Sequence, residues 1–284
     1  MIANVRRGRI QHPLRWFGVA FILIWSLVPV YWVLNVSLQT NAQVGTRPAH
    51  YLPPAPTLEN YRTLLTGAGD LPFQIRRSAV NIVVECSVAT VVTVALATLA
   101  AYAFARMRFR GKSVLFYSVL ATMALPANAT LIPLYRLMTN AGLVNTYTGI
   151  VLVYVSGFLP LATWMLHNYM ASLPQEIEEA ALVDGCNRMQ VLGRVVLPLA
   201  IPGIISTTII TFLFAWGQFL FPLVLSSDIS SQPLTVVITA LQGRHEVPYA
   251  LLSAAGMLAI TVPAAIAVLL NRYIVSGLLA GSMK

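Results

Sequence analysis

Residues whose side chains could take part in chemistry are concentrated in one short stretch, EIEEAALVDG at 176–185. It holds four of the nine acidic residues in a chain of 284, namely Glu176, Glu178, Glu179 and Asp184. The four histidines are scattered without metal-ligand spacing, and no Ser/His/Asp or Cys/His set can be assembled. We therefore expect neither a metal site nor a catalytic centre. The simplest reading of the stretch is a solvated face, and the alternative is a surface that meets a partner.

Two other features could carry chemistry. GKS at 111–113 resembles part of a phosphate-binding loop, but Arg106 stands where the leading Gly should be, and no strand precedes it. We expect no ATP site in this chain. Glu85 is the one carboxylate well inside an apolar run, and an ionisable residue inside a membrane span is a functional candidate. The alternative is that Glu85 lies near the outer face and pairs with Arg76, Arg77 or a partner subunit.

The elements that must position these residues are membrane spans. The chain is 57% hydrophobic and 10% charged, with a mean hydropathy of +0.75, whereas about a quarter of a soluble domain is charged. An all-α integral membrane protein in the lipid bilayer is therefore predicted. Six apolar runs qualify as spans: 16–36, 79–104, 114–132, 148–168, 199–225 and 249–271. The first run is too long for a signal peptide and lacks an A-x-A site, so we expect it to be retained.

The basic residues predict how the spans are oriented. With the N-terminus inside, cytoplasmic segments hold twelve of the eighteen Lys and Arg residues, four of them between Arg106 and Lys112. The net charge of +9 is therefore assigned to these segments, and we expect no nucleic acid as a partner. Both termini are expected in the cytoplasm. Residues 37–78 become the largest outer loop, with a Pro-rich extended piece and a short amphipathic helix, and 170–198 become a cytoplasmic loop.

The cytoplasmic loop is predicted to project as a helix, a Gly turn and a second helix. SLPQ fits a capping box in which Ser172 accepts from the Gln175 amide and Gln175 reaches back. Gly185 is a natural stop because it tolerates a positive φ. A second short helix over 188–196 then leads to Pro198, where the fifth span begins.

The first loop helix has the composition of a docking surface. Ala180 and Ala181 form a patch poor in side-chain atoms, which lets another surface approach closely. Leu182 and Val183 are expected to be exposed apolar residues, and a helix that exposes them needs a groove on a partner.

Residues near the end of the fifth span are candidates for a solute pathway. Trp216 and Phe219 offer an aromatic surface, and Gln218 offers a hydrogen-bonding group, which sugars commonly need. Glu85 completes this possible pathway. Ordinary packing is the alternative for Trp216.

The loop sequence resembles a known signature. EAALVDG, followed by nine residues and VVLP, is similar to the E-A-A-x3-G-x9-I-x-L-P motif of permease subunits of bacterial ABC importers. Val195 replaces the usual Ile. The resemblance extends through AYAFARMRFRGK (101–112), LIPLYRLMTNAGLVNTYTGIVLVY (131–154) and FAWGQFLFPLVL (214–225) and is similar to the maltose-type subunit of carbohydrate importers. Gly217 and Gln218 stand where that family often has Asn and an acidic residue.

The resemblance implies a type I ABC importer permease fold over 1–284, a single transmembrane domain with six transmembrane helices. The loop at 170–198 would then be the coupling helix region that docks into an ATPase. The residues implied in ATPase coupling are Glu179, Ala180, Ala181, Leu182, Asp184, Gly185, Leu197 and Pro198. The C-terminal tail, with GLLAG at 277–281, would reach toward the ATPase pair.

The resemblance also implies partners and a location. The partners would be a homologous second permease subunit, two cytoplasmic ATPase subunits and an extracytoplasmic solute-binding protein. ATP and Mg would be bound by the ATPase subunits, and this chain would hold no cofactor and catalyse no bond cleavage. It would be a multi-pass protein of the bacterial cytoplasmic membrane that imports a sugar or related polar solute by alternating access. A secondary transporter driven by an ion gradient is the alternative, and a membrane-embedded enzyme is a third.

Overall fold

The computed structural model describes residues 7–243 and 247–271, with side chains from residue 15 onward, and this part of the chain is helical without strands. Its α-helices are, in chain order, α1 (Arg7–Ser37), α2 (Asn41–Val44), α3 (Glu59–Thr66), α4 (Leu71–Arg106), α5 (Lys112–Ala121), α6 (Ala127–Asn140), α7 (Tyr147–Ala171), α8 (Gln175–Val183), α9 (Arg188–Val191), α10 (Leu197–Trp216), α11 (Leu220–Leu225), α12 (Leu234–Ala240) and α13 (Tyr249–Leu269). The all-α prediction is confirmed. The predicted role of the tail at 277–281 falls outside the described residues.

Among the described residues, five helical segments are long and apolar enough to cross a membrane. They are Arg15–Ser37, Leu71–Arg106, Tyr147–Ala171, Arg188–Trp216 and Tyr249–Leu269. A helix satisfies its own backbone groups, which lipid cannot do, so apolar runs of this length fold in this way. The predicted spans at 16–36, 79–104, 148–168 and 249–271 are confirmed as helices. The cytoplasmic placement of both termini stays a prediction.

The predicted third span at 114–132 is wrong as a single straight helix. α5 and a 3-10 turn over Thr122–Ala124 end before Pro126, and α6 then leaves at an angle of 100°. Pro126 has no amide hydrogen and disfavours the helical conformation at Leu125, which is extended with φ −71° and ψ 124°. The described residues therefore contain six candidate spans only if this bent pair counts as one.

The predicted fifth span at 199–225 is also corrected at both ends. The expected second loop helix is not separate, because α9, a π-helical segment over Leu192–Val196 and α10 run on without a break. Pro198 has no amide hydrogen to donate to the carbonyl group one helical turn earlier. The π-helical segment, whose turns are wider than those of an α-helix, lies just before it. α10 ends at Trp216, and α11 begins only after the break at Gln218 and Phe219.

The chain divides into two compact units, of which the first comprises Met1–Pro72 and Ile238–Ile260. Within it, the predicted Pro-rich extended piece precedes α3, the predicted short helix. The Asn60 side-chain amide donates to the carbonyl oxygens of Ser37 and Gln39, each at 2.8 Å, and so holds α3 against the end of α1. The predicted loop boundary at residue 78 is too late, because α4 begins at Leu71.

The second unit comprises Phe73–Val237 and Thr261–Lys284, and its core joins α4, α7 and α10. The fully buried members of this core are small or apolar: Ala97, Ala101, Ala162, Leu166, Met170, Val191, Val196 and Ala200. Gly203 is required at the α7–α10 contact, since a Cβ atom there would overlap the Tyr169 ring. Ala181 and Leu182 of α8 pack against the same core, so the loop helix is anchored on the spans.

Candidate functional site

The loop helix α8 begins later than the capping box predicts. Ser172 keeps helical angles, φ −83° and ψ −11°, and its hydroxyl donates to the Tyr169 carbonyl oxygen at 2.7 Å. It therefore ends α7, whereas an N-cap residue is extended. α8 starts at Gln175 after Pro174, without a side-chain cap. The capping box prediction is wrong because Ser172 belongs to the preceding helix.

The end of α8 agrees with the prediction for Gly185. Its φ is +89°, the Gly185 amide donates to the Leu182 carbonyl at 3.1 Å, and the Cys186 amide donates to the Ala181 carbonyl at 3.0 Å. These two bonds form a Schellman motif, which needs a left-handed residue at this position. A capping box missed in the sequence analysis starts α9, where Asn187 and Gln190 bond each other's backbone amides at 2.9 and 2.8 Å.

α8 has an inner and an outer face. Residues Glu178, Ala181 and Leu182, at helical spacing, turn toward the protein. The expected exposure of Leu182 is therefore wrong, whereas Val183 is 88% exposed. The outer face consists of Glu176, Glu179, Ala180 and Val183, all exposed.

A buried ion pair that the sequence analysis missed holds the inner face. Arg106 Nε donates to Glu178 Oε1 at 2.6 Å, and the two side chains are only 4% and 6% exposed. Arg106 Nη2 also donates to the Leu173 carbonyl oxygen at 2.8 Å. Arg106 is the last residue of α4, so this membrane-spanning helix is tied directly to the loop helix. The sequence did contain a signal for this pair. The basic run from Arg106 to Lys112 and the acidic loop at 170–198 are both predicted on the cytoplasmic side of the membrane.

Only two of the predicted coupling residues, Glu179 and Leu182, line a recess together with this pair. A recess of about 480 Å³ is lined by Arg106, Met107, Arg108, Gln175, Glu178, Glu179, Leu182 and Arg188. Ala180, Asp184 and Gly185 lie on the exposed surface of the loop, outside this lining. Leu197 packs on the core at the start of α10, and Pro198 beside it is exposed. The structure thus brings together Glu179 and Leu182 but leaves Leu197 and Pro198 at the span.

Of the four predicted pathway residues, two are buried inside helices and two lie at a helix break. Trp216 is buried beside Phe212, with ring centres 5.7 Å apart. Gln218 and Phe219 occupy the break between α10 and α11. Glu85 is fully buried within α4, and its carboxylate oxygens have no hydrogen-bond partner in the described part of the chain. The pairing with Arg76 or Arg77 is therefore not observed.

Gln218 instead lines a cleft that sequence reasoning missed. The cleft has a volume of about 360 Å³ and is bounded by the α5–α6 break, the middle of α7 and the α10–α11 break. Its lining comprises Thr122, Met123, Leu125, Ala127, Thr130, Leu134, Val153, Tyr154, Ser156, Gly157, Phe158, Gln218 and Phe221. The available signals were Pro126 and the polar pair Ser156 and Gly157 inside an apolar run.

Comparisons with known proteins agree with this architecture. Residues 93–279 match the family of binding-protein-dependent transport system inner membrane components. The chain belongs to this family. It is 34% identical to the sulfoquinovosyl glycerol transport system permease protein SmoH of Agrobacterium fabrum over 272 residues, 96% of this chain and 94% of the relative. It is 33% identical to the trehalose/maltose transport system permease protein MalG of Thermococcus litoralis, over 94% of this chain and 95% of that one.

A solved structure supports the fold of this family member. A bacterial ABC transporter involved in the import of the acidic polysaccharide alginate has a chain that superposes with a TM-score of 0.77. The match covers 96% of this permease and 99% of that chain, and the 22% identity makes it evidence of fold alone. The permease fold predicted from the loop motif is confirmed. The chain is a non-enzymatic inner membrane subunit.

Proposed function

We propose that this permease imports a sugar or related polar solute, and that residues 170–198 form the loop through which an ATPase drives it. The solutes named for the relatives SmoH and MalG support the carbohydrate class. One observation gives the main support for the proposed coupling role. α8 is fastened to the spans by a buried Arg106–Glu178 pair while its outer face is left exposed. A helix that is rigidly held on one side and free on the other suits a docking element.

Two connections pass movement of α8 into the membrane. The Arg106–Glu178 ion pair and the Leu173 carbonyl hold α8 to the end of α4. The second connection is the continuous run from α9 into α10, which carries no hinge of extended backbone. A rigid-body displacement of the loop therefore tilts α4 and α10 together, as alternating access requires.

The partners follow from this role. A homologous second permease subunit, two cytoplasmic ATPase subunits and an extracytoplasmic binding protein complete the transporter. ATP and Mg belong to the ATPase subunits, whose closure pushes on Glu179, Ala180 and the Asp184–Gly185 turn. Both termini and the 170–198 loop face the cytoplasm, and the segment between α1 and α4 faces the binding protein. Leu197 and Pro198 serve as the base on which the loop is mounted.

Solute uptake in proteoliposomes tests the proposal. We expect uptake of solute delivered by the cognate binding protein only when the ATPase subunits are present and ATP is supplied on their side. Omission of ATP, or an ATPase variant unable to hydrolyse it, is the control. Uptake driven by a proton or sodium gradient without ATP would identify a secondary transporter and overturn the proposal.

A further inference from the structure

We infer that the cleft between the two helix breaks is a binding site for a neutral, polyhydroxylated solute. The inference rests on the proposed import function and adds a place and a chemical class. Thr122, Thr130, Ser156 and Gln218 supply polar groups to a cleft otherwise lined by aromatic and apolar side chains. Its volume of about 360 Å³ is in the range of small-molecule sites, about 300–1,000 Å³.

The backbone around the cleft is interrupted on two sides. α5 and α6 separate at Leu125 and Pro126, and α10 and α11 separate at Gln218 and Phe219. Non-helical backbone at membrane depth is tolerated only where protein or a water-filled cavity satisfies it. Thr235 donates to the Gln218 carbonyl oxygen at 3.1 Å and so meets part of that need. Two such breaks facing one cleft indicate a hydrated cavity and not a lipid-facing surface.

The polar groups of the cleft form a complementary set for hydroxyls. The Gln218 side-chain amide, half-buried, makes no hydrogen bond with the described part of the protein, so its two N–H donors and its oxygen are available. The Ser156 hydroxyl donates to Val153 at 2.9 Å, and the Thr130 hydroxyl donates to Ala127 at 3.0 Å. Each hydroxyl oxygen therefore keeps lone pairs that can accept from a solute. A sugar, which both donates and accepts, satisfies all three.

The aromatic rings of the cleft and its lack of charged side chains narrow the class of solute further. Phe158 and Phe221 place two half-buried rings in the lining, and Phe158 lies beside the buried Tyr154 with ring centres 5.9 Å apart. Such surfaces pack against the C–H faces of a sugar ring. Among the described lining residues none is charged. An acidic sugar would lose hydration there without gaining a cation, so a neutral solute is favoured.

The second permease subunit is the alternative occupant of the cleft, and lipid is another. Ser156 and Gly157 are exposed in the middle of α7, where a lipid-facing helix would present apolar side chains. This polarity supports a solute. Both alternatives predict that water cannot reach Ser156, and that difference can be measured.

Cysteine labelling of the complete transporter in lipid nanodiscs tests accessibility. We expect Ser156→Cys to react with a small water-soluble maleimide about tenfold faster than Leu152→Cys, because thiolates form only in water. Leu152 is a matched control, one turn earlier on α7, 46% exposed and outside the cleft lining. The native Cys86 and Cys186 provide the background measured in the unsubstituted protein. Equally slow labelling at both positions would overturn the inference.

Protection from labelling then tests the solute class. Trehalose at tens of millimolar should slow labelling of Ser156→Cys about threefold, as partial occupancy of a weak site predicts, whereas a uronic acid disaccharide at the same concentration should not. Adding Gln218→Leu should abolish protection, and adding Gln74→Leu, at a half-buried Gln outside the cleft, should preserve it. Absent protection, equal protection by both sugars, or protection that survives Gln218→Leu would each overturn the inference. ATP-driven uptake measured separately in the unsubstituted transporter shows whether the import function itself holds.

Discussion

The loop at 170–198 and the cleft place their polar side chains in opposite environments. In the loop, charges face water on the outer side of α8, and the one charge turned inward, Glu178, is paired with Arg106. In the cleft, within the spans, the polar groups are neutral, and the Gln218 side-chain amide makes no hydrogen bond with the part of the chain that the structure describes. The difference follows from solvent, because an unpaired charge is far more costly than an unpaired amide away from water. The loop helix is therefore fixed by a paired charge, whereas the cleft keeps a hydrogen-bonding group that the described protein does not use.

Reversing the buried charge should have the largest effect. Glu178→Lys places two cations together where both side chains are nearly excluded from water, and breaking a buried pair costs about 3–5 kcal/mol. We expect loss of ATPase association in detergent and at least a hundredfold loss of ATP-driven uptake, since each 1.4 kcal/mol is about tenfold. Thermal unfolding of the purified permease and co-purification of the ATPase measure both.

Two further variants separate the effect of losing the ion pair from the effect of changing a charge on α8. The swap Arg106→Glu with Glu178→Arg should restore part of the association, although it loses the bond to the Leu173 carbonyl. Glu176→Lys, an exposed position on the same helix, should leave thermal stability unchanged. A fully stable and active Glu178→Lys protein would show that the pair does not hold the loop.

The Schellman turn is the next most sensitive point. At Gly185 a side chain is strained by the φ of +89°, at a cost of about 1–2 kcal/mol. Gly185→Asp should therefore raise the ATP consumed per solute imported about tenfold, while Gly185→Asn should be milder because Asn tolerates this conformation. Gly193→Ala, at an open position without a positive φ, is the control. Normal coupling in Gly185→Asp would remove the turn from the mechanism.

Local sequence predicted the loop better than the cleft. Gly185 ends α8 through hydrogen bonds that join residues at most six positions apart along the chain, so its helix-ending role could be predicted from the sequence. The Arg106–Glu178 pair joins positions 72 residues apart, and only the packing of α4 beside α8 brings them together. The capping box prediction failed because SLPQ alone does not reveal that Ser172 is the C-terminal cap of α7.

The cleft shows more clearly where prediction from local sequence fails. It combines three distant segments, and the hydropathy of 114–132 and 199–225 suggested continuous spans where Pro126 and Gly217–Phe219 interrupt them. Apolar composition measures compatibility with lipid, not straightness. Gln218 was proposed from its residue type, and the structure adds the cleft around it.

The outer face of α8 should respond more mildly than the inner face. Glu179→Lys reverses an exposed charge on the face that we propose docks on the ATPase, and we expect about threefold to fivefold weaker association at low salt. High salt should shrink the difference because exposed charges are screened. Glu59→Lys, an exposed acidic position in α3, is the matched control. Unchanged association at low salt would mean that Glu179 only shapes the loop.

The smallest effect should come from the second buried carboxylate, and it separates the two kinds of buried charge. Unlike Glu178, Glu85 has no hydrogen-bond partner for either oxygen in the described chain and does not line the cleft. Replacing an unsatisfied buried polar group by an apolar one of similar shape is neutral or stabilising. We expect Glu85→Met to melt at the same or a higher temperature and to retain uptake within about twofold. Lost uptake with intact folding would instead place Glu85 in the solute or ion pathway, because no structural bond would explain the loss.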